Sequence, residues 1–153
     1  MKTFYFILLS LFLISCGNDD EPQIKDYREI NDQEIQNYLE ANNIEAQQSE
    51  SGLYYIIEEE GTGAQPTVES SITVAYKGYF LNGNVFDRSN ASGATFGLQR
   101  AIPGWREGIT YFKEGGTGQL FIPSHLAYGS SNYNGIPGGS VLIFDIKLLD
   151  VTN

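Results

Sequence analysis

One imidazole, His125, and one thiol, Cys16, are the chain's whole supply of the two side chains on which nucleophilic and metal chemistry most often depends. A lone cysteine excludes an internal disulfide and a cysteine-rich zinc site, and a lone histidine excludes a metal centre built on imidazoles. Nothing around His125 resembles a triad, so it reads as a loop histidine. Gly61-Thr62-Gly63 and Gly115-Gly116-Thr117-Gly118 read as turns between strands, because neither opens the helix that phosphate binding needs. What remains is aromatic: 9 Phe, 10 Tyr and a single Trp in 153 residues. Gathered in one place, such rings would make a water-excluding pocket. Dispersed, they would be the core of a small β protein, with Trp105 on a helix's buried face and Asp87 a turn cap.

The elements that must position these rings are legible from residue 52 onward. Leu53 to Ile57 is a β-rich run, and Ser71 to Phe80 alternates into a strand. Leu81-Asn82-Gly83-Asn84 carries the Asn-Gly signal of a hairpin turn. Trp105, Ile109 and Phe112 stand at helical spacing after Pro103, and Gly118–Pro123 and Val141–Leu149 read as strands. Four or five strands with one central helix give an α+β domain, an antiparallel sheet half-covered by that helix.

Before residue 52 the texture differs. The net charge of −10 is local: residues 17–60 hold 13 acids against Lys25 and Arg28, while residues 61–153 hold 6 of each sign. Such a balance excludes non-specific binding to nucleic acid. Residues 1–15 begin with Lys2 and run apolar from Phe4 to Ile14, too short to span a bilayer and shaped like a secretory signal. Leu13-Ile14-Ser15-Cys16 resembles a bacterial lipobox, which implies diacylation of Cys16 and removal of residues 1–15. Gly17 at the second position, with an acidic run behind it, implies an outer-membrane lipoprotein, facing either the periplasm or the surface. Residues 16–30 are then an acidic tether, and residues 31–51 a helical extension. Asn31 and Glu34 resemble a capping box, Ile35, Tyr38 and Leu39 share a face, and Asn42-Asn43 is a stop. The apolar face packs either on its own domain or on a second copy as a homodimer. On the charge pattern, removing residues 17–50 is expected to leave the pocket's intrinsic activity on short peptides nearly unchanged.

From about Gly52 to Leu149 the sequence resembles the FKBP family of peptidyl-prolyl cis-trans isomerases. Four motifs carry the likeness, in order and at family spacing: VAYKGYFLNGNVFDRS (74–89), FGLQRAIPGWREGI (96–109), GQLFIPSHLAYG (118–129) and SVLIFDIKLL (140–149). The resemblance implies a curved antiparallel sheet wrapped around one short helix. It implies that Tyr76, Phe86 and Asp87 form one wall of an active site and that Ile102 and Trp105 form its floor, with Trp105 under a proline ring. Tyr128 would hydrogen-bond a substrate carbonyl, as would the Ile102 N–H. Phe96 and Phe144 would complete the substrate-binding lining, with Ile136 on a flap beyond Tyr128. Two positions depart from the pattern: Ala94 stands where some members place an aromatic, and Tyr133-Asn134-Gly135-Ile136-Pro137-Gly138-Gly139 is richer in glycine than many relatives.

Such a site needs no cofactor, no metal and no acid–base pair. A prolyl bond twists over a barrier of about 18–20 kcal/mol because twisting breaks amide conjugation. The twisted amide is less polar than the planar one, so an apolar pocket disfavours the ground state more. The function implied is isomerisation of Xaa-Pro bonds in exported polypeptides, from a lipid anchor in the cell envelope. The other readings are a non-catalytic module that binds proline segments, and an assembly factor in an envelope protein complex.

Overall fold

A computed structural model describes residues 25–153. The expected signal peptide, the expected lipid attachment at Cys16 and the expected tether up to residue 24 lie outside the described residues. In chain order the elements are α1 (Arg28–Ala41), β1 (Gln47–Gln48), β2 (Tyr54–Glu59), β3 (Ser71–Phe80), β4 (Val85–Arg88), β5 (Ala94–Gly97), α2 (Pro103–Gly108), β6 (Thr117–Ile122) and β7 (Leu142–Thr152). Short 3₁₀ turns occupy Leu98–Arg100, Ile109–Tyr111 and Ser124–Leu126.

All strand pairs are antiparallel, in the order β1-β2-β6-β7-β3-β4, with β5 also on β3. β3 and β7 pair over their whole lengths, from Ser71 opposite Thr152 to Phe80 opposite Leu142. β5 and β4 share the far edge of β3, β5 on Ser71–Val74 and β4 on Lys77–Tyr79. The expected α+β sheet with one short helix is therefore present. The expected four or five strands become seven, because β1 has two residues and β5 four, too few to alternate visibly.

Strand alternation divides the apolar residues between two faces. Leu142, Phe144, Ile146 and Leu148 of β7 face α2 and join Leu120, Ile122, Trp105, Ile109 and Phe112 in the main core. The residues between them, Phe121 and Ile143, point the opposite way and meet Ile35 and Leu39 of α1. Ile35 is fully buried and Leu39 nearly so. The helical extension thus packs on its own domain and is part of its fold. Of the two packings the sequence leaves open, on its own domain or on a second copy, Ile35 and Leu39 take the first.

The helix begins at Arg28, three residues earlier than the sequence suggests. Asp26 Oδ1 accepts from the Arg28 N–H at 3.0 Å, at the very start of the helix. Asn31 lies one turn inside, where its Nδ2 donates to Glu34 Oε2 at 2.9 Å. The Asn31–Glu34 pair is real, yet it is not a cap. The stop is as read: Asn42 ends the helix and Asn43 turns left-handed at φ 53°.

Candidate active site

The rings converge. Pro103 starts α2 at a position where its missing N–H costs nothing, and the Ile102 carbonyl accepts from the Trp105 and Arg106 N–H groups at 3.0 and 3.1 Å. That short helix turns Trp105 up against the sheet, where it is 5% exposed. Tyr76 from β3, Phe96 from β5 and Phe144 from β7 surround the indole, with ring centroids 5.2, 5.7 and 5.2 Å away. Tyr76 and Phe144 stand nearly perpendicular to it, the edge-to-face arrangement that ring quadrupoles favour. Trp105 Nε1 is buried and has no hydrogen-bond partner among the described residues.

Above this floor lies a cleft of about 390 Å³. Phe86 of β4 forms one wall, edge-on to Phe144 at 5.5 Å and beside Phe80 at 5.0 Å. Gly78 makes the wall feasible. A Cβ there would sit 2.8 Å from both Phe144 Cε1 and Phe86 Cζ, so any side chain at 78 would force the rings apart.

The polar groups sit at the rim. Tyr76 donates its hydroxyl to Asp87 Oδ2 at 2.8 Å, and the other carboxylate oxygen accepts from the Arg88 N–H at 2.8 Å. Burial, then the bond to Asp87 and its charge, push the Tyr76 hydroxyl up to about 12. Tyr128 stacks on Tyr133 with centroids 4.7 Å apart and planes 10° from parallel. Its hydroxyl is also raised, by burial first and then by Tyr133 and Asp87. The Ile102 N–H makes no hydrogen bond among the described residues, which leaves a donor at the cleft's edge.

Eight residues singled out in the sequence line this one cleft: Tyr76, Phe86, Asp87, Phe96, Ile102, Trp105, Tyr128 and Phe144. Ile136 does not. It is 8% exposed and turned into the main core, while its backbone pairs with Tyr133 through N–H to O bonds of 2.8 and 2.9 Å. Its effect on the cleft is therefore to hold Tyr133, whose ring reaches the lining in its place. Arg100 and Ala101 also line the cleft and escaped the sequence reading, although they adjoin Ile102 in the same motif. His125 stands apart, its Nε2 2.9 Å from the Ser51 carbonyl oxygen. The cleft therefore offers a flat aromatic floor for an apolar ring and a few fixed donors for carbonyls, with no serine, cysteine or histidine among its described lining residues.

Comparison with known proteins gives a consistent picture. Residues 63–149 match the family described as FKBP-type peptidyl-prolyl cis-trans isomerase. The FKBP-type peptidyl-prolyl cis-trans isomerase FkpA of Buchnera aphidicola (subsp. Acyrthosiphon pisum) is 50% identical over 105 residues, 67% of this chain and 44% of the relative. FkpA of Escherichia coli K12 is 38% identical over 135 residues, covering 87% and 47%. The chain thus spans less than half the length of these curated relatives. The crystal structure of Escherichia coli FkpA superposes with a TM-score of 0.73 at 38% identity, over 82% of this chain and 61% of that one. A peptidyl-prolyl cis-trans isomerase from Pseudomonas syringae shares the fold at a TM-score of 0.71 and 24% identity, over 84% and 98%.

Proposed function

Because the chain belongs to the family of FKBP-type peptidyl-prolyl cis-trans isomerases, we propose that its aromatic cleft isomerises Xaa-Pro bonds in polypeptides. The observation that carries this reading is Trp105, lying beneath an open cleft and ringed by Tyr76, Phe96 and Phe144. A proline ring seated on the indole is fixed in position, and Phe86 and Phe144 keep water from its amide. The planar amide is the more polar state, so its desolvation lowers the climb to the twisted one. The Ile102 N–H and the Tyr128 hydroxyl hold carbonyls of the bound chain. Asp87 fixes Tyr76 and transfers no proton.

The substrates proposed are proline-containing segments of exported proteins, met in the cell envelope from a lipid anchor at Cys16. The lipobox motif supports the anchor, and Cys16→Ser tests it. The variant should lose acylation and stay unprocessed, whereas cleavage and membrane fractionation like the wild type would refute it. A homodimer through the extension would have to use residues other than Ile35 and Leu39, which are buried within the chain. Isomerase turnover on the tetrapeptide Ala-Leu-Pro-Phe tests the central reading. Accelerated cis-to-trans exchange supports an enzyme, and binding without acceleration would make the chain a proline-binding module instead.

A further inference from the structure

Asn31 is fully buried on α1, behind the sheet from the cleft, and uses every hydrogen bond its carboxamide can make. Nδ2 donates to the Gly139 carbonyl at 2.9 Å and to Glu34 Oε2 at 2.9 Å. Oδ1 accepts from the Ser124 N–H at 2.9 Å and from the Ser124 hydroxyl at 2.7 Å. The orientation of the amide is unambiguous, since the Ser124 N–H can only donate and the Gly139 carbonyl can only accept. No other side chain supplies both halves at this length: Asp cannot donate, Leu can do neither, and Gln is a methylene too long.

Ser124 and Gly139 are the two sides of one loop's neck. The Gly129 N–H donates to the Ser124 carbonyl at 2.8 Å, and the Gly139 N–H donates to the Gly129 carbonyl at 2.9 Å. The loop beyond that neck carries Tyr128 and Tyr133, the stacked pair on the cleft's rim. Tyr27, at the start of α1, seals the same point. Its ring lies where a Cβ at Gly139 would be, and Gly139 holds a φ of +78° that other residues rarely adopt. Asn31 lies outside residues 63–149, where the family match ends.

We propose that Asn31 is a positioning residue for proline-segment binding, clamping the neck of the 124–139 loop so that Tyr128 and Tyr133 stand ready at the rim. The inference rests on the isomerase reading above. It makes the N-terminal helix an input to the cleft: whatever moves α1 moves the rim.

Three measurements on full-length protein test it, at a temperature where each variant is folded by near-UV dichroism. In Asn31→Ala, KM for Ala-Leu-Pro-Phe should rise about tenfold with kcat within about twofold, since the rim is loosened and the Trp105 floor is not. Quenching of Trp105, the only tryptophan, should report the same loss of peptide affinity. Amides of Gly129, Tyr133, Ile136 and Gly139 should exchange faster, while those of Phe121 and Ile143 in the strands stay protected. A folded Asn31→Ala with wild-type KM and wild-type loop exchange would overturn the proposal. If that variant fails to fold, Ser124→Ala decides, because it removes one hydroxyl and leaves the N–H. It should raise KM in the same direction by a smaller factor, and an unchanged KM would overturn the clamp. Absence of turnover by the wild type would instead refute the isomerase reading, and loop exchange alone would then decide the role of Asn31.

Discussion

Tyr76 and Asp87, facing each other from β3 and β4, are joined by a 2.8 Å bond in which the phenol donates and the carboxylate accepts. The bond spends the acid's charge on orienting a ring of the cleft wall. Since burial and Asp87 hold the Tyr76 hydroxyl near 12, it stays protonated across the neutral range. The pH-rate profile should accordingly be flat between about pH 6 and 8, since the Tyr76 hydroxyl keeps its proton there and the one imidazole, His125, lies outside the cleft. Tyr76→Phe should lose little activity and Asp87→Leu more, without abolishing it. His125→Ala, outside the cleft, should be close to wild type. Burial first, and then the bond to Asp87, put the folded value of Tyr76 above its unfolded 10.0, so the stability held by the protonated phenol is whole below pH 10 and fades as pH rises through about 12. Urea melts of Tyr76→Phe and wild type across that range should converge at the alkaline end.

Phe86→Ala should cost the most activity among the wall residues. It removes the ring that stands edge-on to Phe144, and Gly78 beneath has no side chain to close the gap. A fall of about 10- to 100-fold in kcat/KM is expected, against less than about threefold for Tyr76→Phe, by steady-state assay on one peptide.

Two truncations should behave differently. Removal of residues 1–24 leaves α1 in position and should preserve the thermal midpoint. Removal through Ser51 strips Ile35 and Leu39 from Phe121 and Ile143, side chains worth about 1.5–3 kcal/mol each when fully buried. A loss of about 3–6 kcal/mol in urea unfolding is expected. Equal stability of the two would mean that the helix rests on the domain without supporting it.

Glu107 of α2 accepts from the Ser51 hydroxyl at 2.7 Å and the Tyr111 hydroxyl at 2.8 Å. Burial would raise its carboxyl, but hydrogen bonds from Ser51, Ser49 and Tyr111 outweigh it and hold the group below its ordinary 4.5. The stability this confers is present above pH 4.5 and lost as pH falls through the depressed folded value. Glu107→Gln should be less stable than wild type at pH 7, and the difference should vanish in acid.

Most of the cleft is visible in the sequence because its residues sit in short, ordered motifs. β3 and β7 alternate over ten and eleven residues, and Pro103 announces the helix that lifts Trp105. Less visible are features that depend on distant partners. Asn31 and Glu34 carry the letters of a cap, yet Asn31 bonds to residues 93 and 108 positions away. No local pattern encodes that. Phe96 belongs to a four-residue strand whose existence depends on the open edge of β3. Ile136, expected on the flap, turns into the core while Tyr133, to which no role was assigned, lines the cleft, the two being paired across a left-handed turn at Asn134-Gly135.

The sheet's margins have a consequence for a protein that would meet unfolded chains. An open strand edge invites a foreign strand to add on and seed aggregation. On one margin, β1 covers only Tyr54 and Tyr55 of β2, and the uncovered part runs into Glu58-Glu59-Glu60, whose charges repel a stacking neighbour. On the other, β4 and β5 are four residues each, and β4 ends in Asp87-Arg88. Both margins are short, and neither offers the long, flat template that a foreign strand would need to add on.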